Sequence, residues 1–238
     1  MPGPAARWGE VTFQAIAPGI WLHSEYADPP GVGPTRSNGL IVEAGDHSIL
    51  VDTAWNDAQT GSIVEWAEAS LHRPVAAAIV THAHHDKMGG IAALRSAGIR
   101  TFANRLTNAD APKRGLLPAD VSLDFDSGGW LTAESARAAE PLGAIRPYFP
   151  GAGHTRDNIV VGVADGAVLF GGCLIRPSDA QSLGNTSDGD IAHWGIAARA
   201  AGAAFPNATV VIPSHGDIAG RDLIELTARL ALAAQAPR

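Results

Sequence analysis

Two histidines and an aspartate alternate along one short segment of the chain, which reads Thr81-His-Ala-His-His-Asp-Lys. Residues i, i+2 and i+4 of an extended or tightly turned segment point the same way, so His82, His84 and Asp86 can converge on one point. The apolar run at 75–80 directly before them predicts a buried strand that ends at this segment. Because imidazole and carboxylate groups are common metal ligands, the segment is predicted to hold a metal ion.

Three further candidate ligands lie downstream, and each stands beside glycine: His154, Cys173 and His215. Glycine turns at the ends of β-rich runs are places where a scaffold presents functional side chains. Zinc accepts imidazole, thiolate and carboxylate ligands, and a catalytic zinc keeps one position open for water. Six ligands are therefore enough for two such ions.

Each of these residues also has a purely structural interpretation. A short His-x-His-x-Asp pattern can arise by chance. A lone cysteine such as Cys173 is commonly a small buried apolar residue. Four other histidines have no candidate ligands nearby, namely His23, His47, His72 and His193. The coincidence of the outlying candidates at β-rich runs and glycine turns favours the metal site.

The wider sequence resembles the metallo-β-lactamases of subclass B1, and among them the New Delhi type most closely. The resemblance rests on six blocks that span nearly the whole chain: Ser37-Asn-Gly-Leu-Ile-Val, Val51-Asp-Thr-Ala-Trp, Thr81-His-Ala-His-His-Asp-Lys-Met-Gly-Gly, Tyr148-Phe-Pro-Gly-Ala-Gly-His-Thr-Arg-Asp-Asn, Phe170-Gly-Gly-Cys-Leu-Ile and Ser182-Leu-Gly-Asn. It implies the αββα sandwich of that superfamily, which is an α+β fold with two β-sheets flanked by helices. The order of strands and helices alone predicts only a mixed α and β protein.

Three positions connect the ligand set with subclass B1 by resemblance. Lys87 stands where glyoxalase II, the metal-dependent RNases and subclass B3 enzymes carry a histidine that ligates the second metal. His82 stands where subclass B2 enzymes carry an asparagine and favour one zinc. Cys173 occupies the place of the B1 cysteine ligand. The resemblance therefore implies two zinc ions per chain.

The resemblance also implies different ligands and different roles for the two ions. The first would be held by His82, His84 and His154 with a hydroxide in the fourth position, and the second by Asp86, Cys173 and His215. Zinc brings the pKa of its bound water to about 7, so a hydroxide nucleophile exists at neutral pH. The expected activity is hydrolysis of the amide bond of penicillins, cephalosporins and carbapenems, with the second zinc stabilising the charge on the leaving nitrogen. Such an enzyme would confer antibiotic resistance.

Neighbouring residues receive roles by resemblance and by their chemistry. Asn185 matches the B1 asparagine near the developing oxyanion, and an ordinary turn residue is the alternative. Arg176 replaces a lysine that meets the substrate carboxylate, which arginine can bind with two hydrogen bonds; a solvated surface arginine is the alternative. Lys87 is predicted to offset the negative charge of Asp86 and Cys173, with a surface lysine as the alternative. The catalytic candidates are thus Asp86, Asn185 and Lys87.

Two more residues and one loop complete the predicted site. Asp52 is expected to orient a ligand N–H from beneath the metals, and His85, which replaces a glutamine of the New Delhi type, is expected to point away from them. The Gly- and Pro-rich stretch 24–37 is predicted to be a loop. By resemblance it is a mobile flap with Tyr26 and Val32 as apolar substrate contacts, and a plain surface loop is the alternative.

The elements that position these residues follow from apolar runs and turn residues. Strands are predicted over 11–16, 20–23, 40–43, 48–52, 75–80, 121–125, 144–149, 159–163, 168–170 and 209–212. Helices are predicted over 57–71, 88–97, 190–201 and 221–234. Candidate ligands then fall at strand ends in both halves of the chain.

Length and composition agree with a single enzyme domain over residues 1–238. With 46% hydrophobic residues the chain can bury a large core, and no stretch has the composition of an interdomain linker. The formal net charge of −7 argues against nucleic acid or an anionic membrane as a partner. No apolar run is long enough to span a bilayer. The resemblance implies a small β-lactam as the substrate, and a monomer is expected.

The cellular compartment does not follow from the residues alone. One cysteine excludes an internal disulfide and is compatible with either redox environment. The first residues lack the charged and apolar regions of a signal peptide, which by itself indicates a cytosolic chain. The resemblance instead implies a periplasmic enzyme whose signal peptide is absent from this sequence.

Two other functions stay open at this point. A metallohydrolase of the same scaffold could act on another ester, a thioester or a lactone, and histidine at position 87 or aspartate at position 173 would favour that reading. A non-enzymatic zinc-binding module is the third possibility. A structural zinc site normally closes its coordination with four protein ligands, whereas these six divide three and three.

Overall fold

The computed structural model of the protein describes residues 5–143 and 145–235. They form two compact units, one with residues 5–123 and 133–143 and the other with residues 124–132 and 145–235. No helix in the described part of the chain is long and apolar enough to cross a membrane. The expectation of a single domain stays a prediction.

The first unit contains an eight-stranded sheet whose strands lie side by side in chain order. The strands are β1 (Ala6–Trp8), β2 (Val11–Ala17), β3 (Ile20–Ala27), β4 (Thr35–Ala44), β5 (His47–Val51), β6 (Val75–Val80), β7 (Arg100–Asn104) and β8 (Val121–Leu123). Pairing is antiparallel from β1 to β5 and parallel from β5 to β8. Because β5 and β6 run in the same direction, the residues that follow them, Asp52 and Thr81, meet at one edge of the sheet.

The described residues of this unit contain five α-helices: α1 (Asp57–Leu71), α2 (His85–Met88), α3 (Ile91–Ser96), α4 (Arg105–Asp110) and α5 (Ala133–Ala138). Helix α1 begins where the Asn56 side chain accepts a hydrogen bond from the Gln59 amide, and it ends at His72 in the left-handed conformation. Its buried face includes Trp66, whose ring stacks on Phe13 of β2 at 4.0 Å. This apolar contact holds the helix on the sheet.

The second unit contains a four-stranded sheet in the order β12-β11-β10-β9. Its strands are β9 (Arg146–Tyr148), β10 (Val160–Val163), β11 (Val168–Gly172) and β12 (Val210–Pro213), and its helices are α6 (Ile191–Ala204) and α7 (Asp222–Ala234). Strands β11 and β12 are parallel, with α6 between them in the chain. The residues that follow these two strands therefore lie at the same edge.

The core of the second unit is built around the fully buried Trp194 and Phe205. A side chain at Gly162 of β10 would collide with the ring of Phe205, so only glycine lets this aromatic residue approach the sheet. The Trp194 indole donates a hydrogen bond of 2.7 Å to the Leu174 carbonyl. That bond ties α6 to the segment that follows β11.

Several predicted elements differ from those in the structure. The predicted loop at 24–37 is wrong at both ends, because β3 and β4 continue pairing as far as Ala27 and Thr35. Only residues 28–34 remain outside the strands. The predicted helix at 88–97 is shorter in the structure, where α3 begins at Ile91 because Gly90, with φ −107° and ψ 18°, is not helical; Met88 is instead the last residue of α2.

Other elements were predicted at nearly the right places. The bounds of α1 are those expected, and β6 also has its expected bounds. The predicted strand at 144–149 begins at a position outside the described residues, and β9 occupies its middle. Strands β1 and β7 and helices α4 and α5 were not predicted from the sequence.

Candidate metal centre

The first ligands lie where β6 ends and the chain turns into the short helix α2. The Nε2 atom of His82 lies 3.1 Å from Nδ1 of His84, and the two rings meet edge to face. Asp86 is buried in the first turn of α2, whereas the neighbouring His85 is exposed. His85 is thus oriented differently from the three candidate ligands, as the alternation in the sequence predicted.

A second pair of ligands forms at the ends of the parallel strands β11 and β12. Cys173 follows β11 and His215 stands two residues after Pro213, the last residue of β12. The Sγ atom of Cys173 lies 3.4 Å from Nε2 of His215. Parallel pairing of the two strands therefore brings together residues that are 42 positions apart in the chain.

His154 lies in a loop that is stabilised by hydrogen bonds of the Asn158 side chain and by a ring contact with Trp194. The Asn158 side chain accepts a hydrogen bond of 3.0 Å from the Thr155 amide and donates one of 2.9 Å to the Gly151 carbonyl. The imidazole of His154 contacts the Trp194 ring edge to face, with 5.4 Å between the ring centroids. The buried His154 is fixed by these contacts on both sides of the loop.

Two groups of three side chains have the geometry to hold a metal ion. One ligand atom each from His82, His84 and His154 lies within 4.8 Å of the other two, and the same holds for His82, Asp86 and Cys173. His215 joins the second group through its contact with Cys173. Five of the six predicted ligands thus occur in these groups, and the sixth is adjacent to one of them.

The distances between neighbouring ligand atoms agree with zinc. Zinc–nitrogen bonds of about 2.0–2.1 Å at a tetrahedral angle place two ligand nitrogens about 3.3 Å apart, and a zinc–sulfur bond of about 2.3 Å places sulfur and nitrogen about 3.6 Å apart. The observed separations are 3.1 Å for His82 and His84 and 3.4 Å for Cys173 and His215. The residues present therefore fit this ion.

A buried chain of hydrogen bonds determines which nitrogen of His82 faces the site. The carboxylate of Asp52 accepts hydrogen bonds from the Thr81 amide at 2.7 Å and from the Thr81 hydroxyl at 3.0 Å. Since the only hydroxyl proton is donated to Asp52, Thr81 Oγ1 acts as the acceptor for Nδ1–H of His82 at 3.2 Å. Nε2 of His82 is then the nitrogen with a lone pair available for a metal. Asp52 acts on His82 through Thr81, rather than directly as the sequence suggested.

Lys87 is fully buried, which contradicts the alternative that it is a surface lysine. Its ammonium lies 3.6 Å from the Asp52 carboxylate and 3.5 Å from that of Asp86. It also donates hydrogen bonds to the Ser37 hydroxyl at 2.7 Å and to the Asn38 carbonyl at 3.0 Å. Burial raises the pKa of Asp52 to about 7, and the Lys87 ammonium is the main influence that opposes this rise.

Ser37 and Thr81 are two residues of the site whose roles the sequence did not reveal. The Ser37 hydroxyl accepts from Lys87 and donates to the Asp86 backbone carbonyl at 3.1 Å, so it connects β4 with the ligand loop. Thr81 connects Asp52 with His82. The signal for both was their place inside the motifs Ser-Asn-Gly and Thr-His-Ala-His, the second of which contains two candidate ligands.

The candidate substrate-binding residues differ in their exposure. Asn185 is exposed, and its side-chain oxygen accepts a hydrogen bond of 3.0 Å from the Ser187 amide, which is the turn arrangement that was the alternative reading. The amide nitrogen of Asn185 is the part that could still donate to a ligand. Tyr26 on β3 is 58% exposed, and Val32 in the segment 28–34 is 70% exposed. Both apolar side chains are accessible to a ligand.

Arg176 is half-buried, unlike a solvated surface arginine. Burial lowers the pKa of its guanidinium, and the nearby Cys173 and Asp179 act in the opposite direction. The Arg176 backbone amide donates a hydrogen bond of 2.8 Å to the Thr227 hydroxyl, which fixes the start of this side chain against α7.

Comparisons with known proteins agree with this site. The model of the metallo-beta-lactamase superfamily matches residues 32–215. The chain is 36% identical over 221 residues to the metallo-beta-lactamase type 2 of Bacteroides fragilis, which covers 93% of this chain and 85% of that protein. It is 30% identical over 216 residues to the enzyme of the same name from Bacillus cereus, covering 91% of this chain and 80% of that protein.

Solved structures show the same likeness. A metallo-beta-lactamase from Erythrobacter litoralis has a TM-score of 0.92 at 50% identity and covers 97% of this chain and 100% of its own. The enzyme FIM-1 from Pseudomonas aeruginosa, in its mono-zinc form, has a TM-score of 0.89 at 50% identity, covering 98% of this chain and 99% of its own. The predicted α+β fold with two sheets flanked by helices is thereby confirmed, and so is the likeness to B1-type enzymes. The closer likeness to the New Delhi type stays a prediction.

Proposed function

Since the chain belongs to the metallo-β-lactamase superfamily, we propose that it is a class B β-lactamase of subclass B1 that hydrolyses the amide bond of penicillins, cephalosporins and carbapenems. The observation that carries this proposal is the pair of ligand groups His82–His84–His154 and His82–Asp86–Cys173, with His215 in contact with the cysteine of the second group. Thiolate and carboxylate together favour zinc over harder cations such as magnesium. Relatives that bear the β-lactamase name at 50% identity support the substrate class.

We propose two zinc ions per chain, each with three protein ligands. His82, His84 and His154 would hold the first, and Asp86, Cys173 and His215 would hold the second. Zinc at these positions supplies a Lewis acid and lowers the pKa of coordinated water to about 7, so that no separate general base is needed. Three protein ligands per ion leave coordination positions for water and substrate, as a catalytic site requires.

The buried residues around the ligands prepare them for this chemistry. The Asp52–Thr81 pair keeps the proton of His82 on Nδ1, so that Nε2 is ready to bind without a tautomer change. The Lys87 ammonium offsets the negative charge of Asp86. With a thiolate and a carboxylate bound to one divalent ion, this nearby cation limits the local excess of negative charge.

Four residues outside the ligand set are proposed to bind the substrate. Arg176 binds the carboxylate that nearly all β-lactams carry, through two parallel hydrogen bonds. The side-chain amide of Asn185 donates to the oxygen that gains negative charge when the carbonyl is attacked. Tyr26 and Val32 cover the apolar parts of the substrate. The expected location in the periplasm, the monomeric state and the role in antibiotic resistance belong to the same proposal.

The test is hydrolysis of a chromogenic cephalosporin by protein with two zinc ions, by the same protein after treatment with a chelator, and after zinc is restored. We expect activity to disappear with the metal and to return with it. The exposed His85 provides a matched control in the same loop: His82→Ala should abolish turnover, whereas His85→Ala should leave it nearly unchanged. Hydrolysis of thioesters or lactones without any β-lactam turnover would contradict the proposed substrate class.

A further inference from the structure

The guanidinium of Arg176 is a cation with unused hydrogen-bonding capacity. Its Nε atom is buried and finds no acceptor in the described parts of the chain. A buried donor without a partner costs free energy, and the cost is larger for a charged group. Burial also lowers the pKa of this side chain, in agreement with a poorly solvated cation. The guanidinium is therefore a poorly solvated cation, and a negative charge placed beside it would stabilise it.

The guanidinium lies directly against Gly184, in the turn that leads to Asn185. A Cβ atom built on Gly184 would be 3.0 Å from Nη2 and 3.3 Å from both Cζ and Nη1 of Arg176. Gly184 has a positive φ of 73°, and its amide donates a hydrogen bond of 3.2 Å to the Ser182 hydroxyl. Glycine thus satisfies two requirements at once, namely the backbone conformation and the space for the arginine head group.

We propose that Gly184 is a specificity-determining residue, because its missing side chain gives the Arg176 guanidinium the position from which it binds the carboxylate of a β-lactam. This inference rests on the proposed function of the site, and the substrate feature that it concerns is the carboxylate. Two parallel hydrogen bonds to a carboxylate depend on the plane and the position of the guanidinium. Gly184 acts only through Arg176 and does not touch the reacting atoms.

Substitutions at Gly184 should therefore raise KM more when the added side chain is larger. Alanine would displace the guanidinium by a few tenths of an ångström, and we expect KM for a carboxylate-bearing cephalosporin to rise about twofold. Leucine would occupy the space of the guanidinium, and we expect a rise of about tenfold with kcat changed less than twofold. A KM effect without a kcat effect is the signature of binding that is equal in the ground and transition states.

The turn at Gly45 offers a matched control for backbone strain. Gly45 has a φ of 69°, close to that of Gly184, and a Cβ there would contact nothing within 4 Å. Gly45→Leu should therefore reproduce the strain without any change in KM. The methyl ester of the same cephalosporin lacks the anionic carboxylate, so its KM should be the same in Gly184→Leu and in the unchanged enzyme.

A double variant distinguishes an effect through Arg176 from direct obstruction of the substrate. In an Arg176→Ala background, Gly184→Leu should have no further effect on KM, because the residue through which it acts is gone. If leucine raises KM equally in both backgrounds, or equally for the acid and the ester, the proposal is wrong.

A binding measurement separates this inference from the proposed activity. Hydrolysed benzylpenicillin keeps the carboxylate, and its Kd for the zinc-loaded protein can be measured by calorimetry without turnover. We expect Gly184→Leu to weaken this binding about tenfold, and Gly45→Leu to leave it unchanged. If the protein turned over no β-lactam, the proposed function would fail while this Kd comparison still decided the role of Gly184. An unchanged Kd in Gly184→Leu would overturn the inference even in an active β-lactamase.

Discussion

Replacing Lys87 by methionine removes the cation that two buried carboxylates face, and we expect this to lower the free energy of unfolding by about 3–5 kcal/mol. The ammonium lies 3.6 Å from Asp52 and 3.5 Å from Asp86, and all three side chains are at least nine-tenths buried. Each contact is worth roughly 4 kcal/mol at an effective dielectric constant of about 20. Part of the lost interaction energy is offset, because the free-energy cost of burying the Lys87 charge disappears with that charge.

The effect should depend on pH in a defined direction. In the folded protein the pKa of Asp52 is raised from 3.8 to about 7, and the Lys87 ammonium is the main influence that keeps it from rising further. Without that ammonium the pKa rises more, and a carboxyl group with a raised pKa disfavours the folded state increasingly as the pH climbs above its unfolded value. The destabilisation should therefore be large at pH 8 and smaller at pH 5.

The assay is urea unfolding of zinc-free protein, so that metal binding does not add to the measured stability. The second lysine of the chain provides the control. Lys113 lies 2.6 Å from Asp110, a shorter ion pair than either contact of Lys87, but its side chain is 65% exposed. Lys113→Met should cost at most about 1 kcal/mol. Equal losses for the two variants would refute the argument that burial, and not distance, determines the effect.

Three further predictions concern the ligands and the substrate. Cys173→Ser should reduce the zinc content from two ions per chain to close to one and remove most of kcat, while the protein stays folded. The reason is that a neutral hydroxyl replaces a soft anionic donor. A variant with two zinc ions and full activity would falsify the B1 assignment. Arg176→Ala should raise KM about tenfold or more, corresponding to a charge-assisted hydrogen bond of about 1.5–3 kcal/mol, and Arg176→Lys should have a mild effect. A KM unchanged from that of the original enzyme for several substrates would show that Arg176 does not bind the substrate carboxylate. Thr81→Val should weaken zinc binding by about 10–100-fold in a competition assay with a chelator, and Thr81→Ser should restore it; tight binding in Thr81→Val would mean that the hydroxyl does not set the tautomer of His82.

The ligands could be predicted from the sequence because local rules place them. His82 and His84 follow a buried strand, and Cys173 and His215 stand after strands that pair in parallel. Helix α1 was predicted with its bounds from the local pattern of apolar and polar residues, and the structure adds the cap at Asn56 and the left-handed His72 at its end. In each case the information lies within a few residues of the feature.

The features that could not be predicted depend on partners far away in the chain. The sequence leaves a surface position open for Lys87, because its hydrogen-bond acceptors, Ser37 and Asn38, precede it by about fifty positions. The stretch 24–37 was predicted as a loop from its composition, yet residues at both its ends are held in strands by pairing with each other. Tertiary pairing overrides a local turn preference in such places.

The parallel pairing of β11 and β12 has a consequence for how the protein acquires its metals. His82 and His84 are two positions apart and can approach each other as soon as the chain turns after β6, whereas Cys173 and His215 meet only after helix α6 has crossed between the two strands. Contacts that close long loops form late in folding, because their entropic cost is met only when the intervening structure is in place. We therefore expect a refolding chain to acquire the histidine pair first and the cysteine–histidine pair last, so that zinc added during refolding would report on the completion of the second sheet.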